Sequence, residues 1–119
     1  MTDTVRDIFL AFVRVHVLHH ATHERIYGAG MSIELARHGY RLPPGTLYPL
    51  LRRLELDGLL ICEPEVVDGR LRKYYRATAK GHRALQRIRP KIGELVHEAV
   101  DETPETTPAP RPARRQSRR

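Results

Sequence analysis

Between Leu42 and Leu60 the chain reads LPPGTLYPLLRRLELDGLL, and no other stretch limits the fold so tightly. Leu47, Leu50, Leu51 and Leu54 recur at i, i+3, i+4 and i+7, one apolar face of an α-helix. Tyr48, Pro49, Arg52 and, at one margin, Arg53 lie off that stripe. Asp57-Gly58 supplies the stop. Thr46 is the expected N-cap, its hydroxyl accepting from an N–H of the first turn. Pro49 is then tolerable because it stands near the helix start, where a missing N–H costs no intrahelical bond. A helix with a leucine back and a basic, aromatic front is either a plain core helix or one that carries its front to a partner.

The neighbouring stretches bear on that choice. Residues from about Tyr27 to His38 are expected to form a helix, with Met31, Ile33 and Leu35 turned inward and Gly39 ending it. The link to the leucine helix, HGYRLPP, is short. Two short helices joined by a tight turn, the second with an apolar back, match a helix-turn-helix. After Gly58 the periodicity changes: LLICEPEVV is apolar and β-branched, and Pro64 restricts it to an edge or irregular strand. Asp68-Gly69 is a type I′ hairpin signal, and LRKYYRA returns from it. Along the return, Arg70, Arg72, Tyr74 and Arg76 share one face, and Leu71, Tyr75 and Ala77 the other. A basic hairpin can lie against a phosphate backbone. It can also be a solvated ribbon whose cations blunt an exposed edge. Beside a helix-turn-helix, the DNA reading is favoured.

The flanks suggest pairing. From about Thr4 to His20, Ile8, Phe9, Phe12, Val13, Val15, Val17 and Leu18 spread almost around the helical wheel, so a second subunit is expected to cover part of that helix. Thr78 caps a final helix in which Gly81 allows close packing. Its Leu85, Ile88, Ile92, Leu95 and Ala99 form a short heptad seam, with Pro90 off the seam and expected to kink or interrupt it. The expected dimer interface thus comprises Phe9, Phe12, Leu85, Ile88, Ile92, Leu95 and Ala99. A two-fold dimer would set its recognition helices on successive major grooves, about 34 Å apart.

His16, His19, His20 and His23 would share one face if the first helix continues. Such spacing can ligate a divalent metal, although it matches no known metal motif and no cysteine joins it. The alternatives are histidines at a helix end and interface, or a pH-responsive contact. No cofactor is expected otherwise.

Composition narrows the classes. In 119 residues, 40% of them hydrophobic, there is material for one modest core. The formal net charge of +7 favours a polyanionic partner, but Arg111, Arg114, Arg115, Arg118 and Arg119 carry much of it, so the preceding domain is only mildly basic. A single cysteine, Cys62, leaves no intramolecular disulfide and fits a reducing cytoplasm. Neither a membrane-spanning apolar run nor a secretion signal is recognisable. Neither is a Ser/His/acid trio, a phosphate loop or a paired-carboxylate arrangement, so no enzyme activity is expected.

PPGTLYPLLRRLELDGLL followed by DGRLRKYYRATAKGHRAL resembles the PadR family of bacterial transcriptional regulators, over about Tyr27 to Leu85. The resemblance implies a cytoplasmic homodimeric repressor whose C-terminal helix packs against the partner's first helix. By the same resemblance Gly45, Thr46, Tyr48 and Arg52 would belong to the DNA-facing recognition helix, and Arg70, Arg72 and Lys73 to the wing. One departure stands out: family members often have Gly-Tyr-Glu where this chain has Gly28-Ala29-Gly30. The family's effectors include phenolic acids and planar hydrophobic drugs, but with no Trp and few aromatics near the expected interface a ligand does not carry over.

The expected fold class is mainly α with a small β-hairpin. A winged helix-turn-helix would occupy residues 1–77, a C-terminal dimerisation helix 78–101 and a disordered Pro/Arg-rich tail 102–119. The expected function is a repressor on a pseudo-palindromic double-stranded operator, released by a small-molecule or metal effector. The alternatives are a metal-responsive repressor using His16 to His23, or a winged-helix adaptor for other proteins that binds no specific DNA. Arg52 would read guanine, and Arg70, Arg72 and Lys73 would hold phosphates.

Overall fold

A computed structural model describes residues 3–101; the expectation for the tail, 102–119, lies outside them. The leucine stripe behaves as its spacing requires, with Leu47, Leu50, Leu51 and Leu54 all buried on one helix, Pro44–Leu56. Its start differs from expectation. Pro43 is the N-cap and Pro44 the first helical residue, so Thr46 stands inside the first turn and does not cap it. The Thr46 and Leu47 N–H groups both donate to the Pro43 carbonyl, at 2.9 and 3.0 Å. Proline suits the first helical position because its ring presets φ and its missing N–H would have no partner there. Pro49 consequently falls in the second turn and deprives the Gly45 carbonyl of its usual donor; both residues are exposed, so water can serve.

The preceding helix, Gly28–Arg37, buries Met31 and Leu35, while Ile33 is exposed. Both helices end in the same way. Tyr40 and Leu59 donate back to the Leu35 and Leu54 carbonyls (2.9 Å each), across the glycine that follows each helix. These are α2 (Gly28–Arg37) and α3 (Pro44–Leu56), behind α1 (Thr4–His23). Asp3 caps α1 by accepting from the Val5 N–H at 3.0 Å. The helix runs one turn beyond the expected end, which places all four histidines on it. Val13, Val17, Leu18 and Ala21 of α1 enter the core with the α3 leucines.

The sheet has three strands where a two-stranded hairpin was expected. β1 (Ile26–Tyr27), β2 (Leu60–Val67) and β3 (Arg70–Ala77) lie in the order β1-β3-β2, all antiparallel. Tyr27 thus belongs to a strand and not to α2. β2 is an edge, as Pro64 requires. The pairings Leu60–Ala77, Cys62–Tyr75 and Ile26–Tyr75 put the buried residues of all three strands on the face that meets the helices.

Thr78 precedes α4 (Ala79–Ala99): its hydroxyl accepts from the Gly81 N–H at 3.0 Å and donates to the Gly58 carbonyl at 2.5 Å. Of the two outcomes expected at Pro90, a kink or an interruption, the interruption does not occur: the helix is continuous through it. Pro90 and Gln86, whose carbonyl loses its donor, are both exposed to water. The chain forms two units, one ending at Ile88 and one beginning at Arg89. The core described above belongs to the first; the described part of the second is the remainder of α4 and the two residues after it.

Candidate nucleic-acid interface

The front of α3 is open. Gly45 is exposed, Thr46 half-buried, and Tyr48 keeps 49% of its surface accessible despite flanking leucines that are buried. Arg52, one turn further on, is exposed and pairs with Glu55 at 3.2 Å. Tyr48 does not project freely from the helix. Its ring lies so close to Gly28, the first residue of α2, that a Cβ there would come within 2.3 Å of Cε1 and 2.5 Å of the hydroxyl. The lack of a side chain at Gly28 is therefore what lets the phenol take this position.

Beside this turn stands the hairpin. Asp68 and Gly69 have φ of 52° and 77°, the positive pair a type I′ turn needs. Strand alternation sends Pro64, Val66, Leu71 and Lys73 to the face that begins at the core, and Glu63, Glu65, Arg70, Arg72, Tyr74 and Arg76 to the other. A groove of about 550 Å³ runs between the hairpin and the start of α2 and α3. Tyr48, Gly28, Arg70, Arg72 and Lys73 all line it. The fold thus gathers residues 20 or more positions apart into one cationic and aromatic surface.

The cations of this surface are not equivalent. Arg76 is ion-paired with Glu63 across the hairpin. Arg72 lays its guanidinium over the Tyr27 ring, 4.1 Å from the centroid, and donates to the Tyr74 hydroxyl at 3.3 Å. Arg25 covers Tyr74 at 3.9 Å and pairs with Glu65 at 2.7 Å. Arg70 and Lys73 make no ion pair among the described residues. Arg25, Tyr27 and Gly28 stand outside the residues expected at the DNA face. No local pattern marks them, because their partners are on β3 and α3.

The histidines of α1 are drawn into its contact with α2. His16 stacks on His38, with centroids 4.6 Å apart, and meets the edge of Tyr40. Glu34 takes His20 at 3.6 Å and His38 at 3.2 Å. His19 lies against His20 and His23. Burial, and then His38, hold His16 below the usual imidazole range. Among the described residues no three His, Cys, Asp or Glu side chains are arranged to hold a metal ion. Cys62 is partly buried against the core, and burial pushes its thiol up.

The expected interface residues divide into three groups. Phe9 and Phe12 remain 48% and 40% exposed on α1, beside exposed Val5 and Ile8. Leu85 is only 3% exposed, so it serves the first unit's own core, and Ile88 packs half-buried against that core. In the second unit Ile92, Leu95 and Ala99 are exposed, as are Val96 and Val100.

Residues 17–87 match the family model described as "Transcriptional regulator PadR-like family". The chain belongs to the PadR-like family of transcriptional regulators. Transcriptional regulator Rv3488 of Mycobacterium tuberculosis is 54% identical over 91 residues, which cover 76% of this chain and 85% of that one. A PadR family regulator of Eggerthella lenta has a solved structure with a TM-score of 0.68 at 34% identity, over 88% of this chain and 96% of its own. A PadR-like regulator of Bacillus cereus superposes with a TM-score of 0.72 at 26% identity, over 80% and 94% respectively. The PadR fold is therefore a winged helix-turn-helix here too, with α2 and α3 as the helix pair and β2–β3 as the wing. These relatives are regulators, not enzymes. No helix among the described residues is long and apolar enough to cross a membrane. In this PadR-like chain Gly30 has a local consequence: a Cβ there would lie 3.0 Å from the Tyr27 ring.

Proposed function

We propose that the protein is a homodimeric repressor that binds a pseudo-palindromic DNA operator. One observation carries this reading: the exposed Tyr48 at the start of α3 shares a groove with Arg70, Arg72 and Lys73 of the wing. A helix end of that kind can reach base edges while Arg70 and Lys73 beside it neutralise phosphates. Gly45 and Thr46 lie on the same turn, and Arg52 follows on the same front. Lys73 and Arg70 are the wing cations best placed to hold phosphates, since no carboxylate competes for them among the described residues.

The exposed Phe9 and Phe12 of α1, and Ile92 and Leu95 of α4, support pairing of two copies, because apolar side chains this exposed gain by being covered. Pairing also matches the two-fold symmetry of a palindromic site. An effector that changes the spacing of the two recognition helices would release the operator. The site of action is the cytoplasm, where the DNA is. The test is a binding titration with DNA from around the protein's own gene. The reading expects a discrete shifted complex that competes against random duplex, with two chains per complex. Equal affinity for every duplex would instead support the adaptor reading.

A further inference from the structure

The outer face of the sheet carries a side-chain ladder that reaches all three strands. Glu65 of β2 holds Arg25, Arg25 covers Tyr74 of β3, Tyr74 meets Tyr27 of β1 edge-on with centroids 5.6 Å apart, and Arg72 of β3 covers Tyr27. Register makes this arrangement a choice. Glu65 stands directly across from Arg72, yet its carboxylate goes to Arg25, and Arg72 turns to the aromatic ring. Guanidinium planes stack well on aromatic faces, and an Arg committed in this way has fewer orientations left for a phosphate.

Tyr27 is also where the sheet turns into the helix pair. It is the N-cap residue of α2, and the next residue, Gly28, is the one against which Tyr48 rests. Gly30 leaves just enough room for the Tyr27 ring, 3.0 Å from where a Cβ would stand. A contact running from the wing to Tyr27 therefore bears on the support of the recognition turn.

We propose that Tyr27 couples the wing to the recognition turn, and that Arg72 is a positioning residue that acts through Tyr27 and not by neutralising a phosphate. This rests on the reading of α3 and the wing as the DNA interface. The contribution of Arg72 is then to operator preference, whereas that of Arg70 is to the sequence-independent, salt-sensitive part of binding.

The experiment is equilibrium binding of the full chain to operator and to random duplex over a range of salt, with thermal melts to confirm folding. Arg72→Ala and Tyr27→Ala are each expected to lower the operator-over-random ratio about five- to tenfold, and Gly30→Ala, which displaces the Tyr27 ring by a few tenths of an ångström, to lower it by a smaller factor. All three should keep the wild-type salt slope, and Arg72→Ala combined with Tyr27→Ala should be no worse than either alone. Tyr27→Phe retains the ring and should retain the ratio. Arg70→Ala is the comparator, expected to lower the slope by about 1.8, roughly 0.9 for each of the two copies, with the ratio unchanged. Should Tyr27→Ala not fold, Gly30→Ala carries the same test, because it adds one methyl, alters no charge and favours the helix. The proposal is overturned if Arg72→Ala lowers the slope by about 1.8, as loss of one phosphate contact per copy would, and weakens both duplexes alike. It is equally overturned if Gly30→Ala leaves the ratio untouched. A wild-type protein with no operator preference is a different result, and that one defeats the DNA reading itself.

Discussion

Replacing Gly28 by alanine adds a methyl where a Cβ would meet Tyr48 Cε1 at 2.3 Å, Cζ at 2.5 Å and the hydroxyl at 2.5 Å. Ordinary carbon contacts begin near 3.4 Å, so the ring must retreat by roughly 1 Å. The atoms that must give way are the far end of a half-exposed side chain, so the phenol swings aside and the backbone stays. Gly28 opens α2 without a positive φ, so alanine fits its backbone and restricts the unfolded chain, a gain of about 0.4–1 kcal/mol. Stability is thus held or slightly raised. With Tyr48 reading the groove as proposed, DNA binding is not, because such a contact displaced by that distance loses its geometry, at about 1–3 kcal/mol per base contact. That is about 5- to 150-fold in operator affinity for each half-site. Fluorescence anisotropy with labelled operator at fixed salt, beside a thermal melt, measures both quantities. In a Tyr48→Ala background the same substitution should add nothing. Wild-type operator affinity in Gly28→Ala, or an undiminished effect without Tyr48, would refute the reasoning.

Three further outcomes follow from the geometry. Gly81→Ala puts a Cβ 2.2 Å from the Leu59 carbonyl oxygen, a backbone atom that cannot swing away. It should cost about 1–3 kcal/mol and lower the melting temperature by several degrees, and an unchanged melt would contradict the packing. His16 is held below its ordinary value by burial and then by His38, His20 and His19, against the pull of Glu34. The folded state therefore binds fewer protons than the unfolded one. Its stability contribution is complete above about pH 6.5 and is lost as pH falls below that toward the folded value. His16→Gln should shrink the difference in melting temperature between about pH 7.5 and 5.5, and an equal difference in both proteins would rule His16 out as its source. Finally, the Cys62 thiol, pushed up by burial, should react with a thiol reagent at neutral pH more slowly than free cysteine, whereas equal rates would mean that the strand opens.

What the sequence made legible was local. The leucine stripe, the turn at Asp68-Gly69, the edge strand marked by Pro64 and the Thr78 cap each depend on residues close together in the chain. The structure has all four. The misreadings have equally physical origins. A two-residue strand such as Ile26–Tyr27 shows no alternation, and only its pairing with Tyr74 and Tyr75 makes it one. Thr46 is a good cap by chemistry, but Pro44 is preset for the first turn and moves the cap three residues earlier, to Pro43. Leu85 fits a heptad seam, yet it lies where α4 closes the first unit's core. The candidate site was legible by residue type only. That Arg76 is spent on Glu63, and Arg72 on Tyr27, depends on partners far along the chain.

The central claim is that the turn around Tyr48 reads a specific sequence as part of a symmetric dimer. Repeated selection of bound duplexes from a random-sequence library, with the full chain at physiological salt, tests this most directly. The account expects an inverted repeat whose half-sites are centred about 34 Å apart, one helical turn. The same selection with Tyr48→Ala should lose that motif. An unenriched pool with the wild-type protein, or an identical motif with Tyr48→Ala, would contradict it.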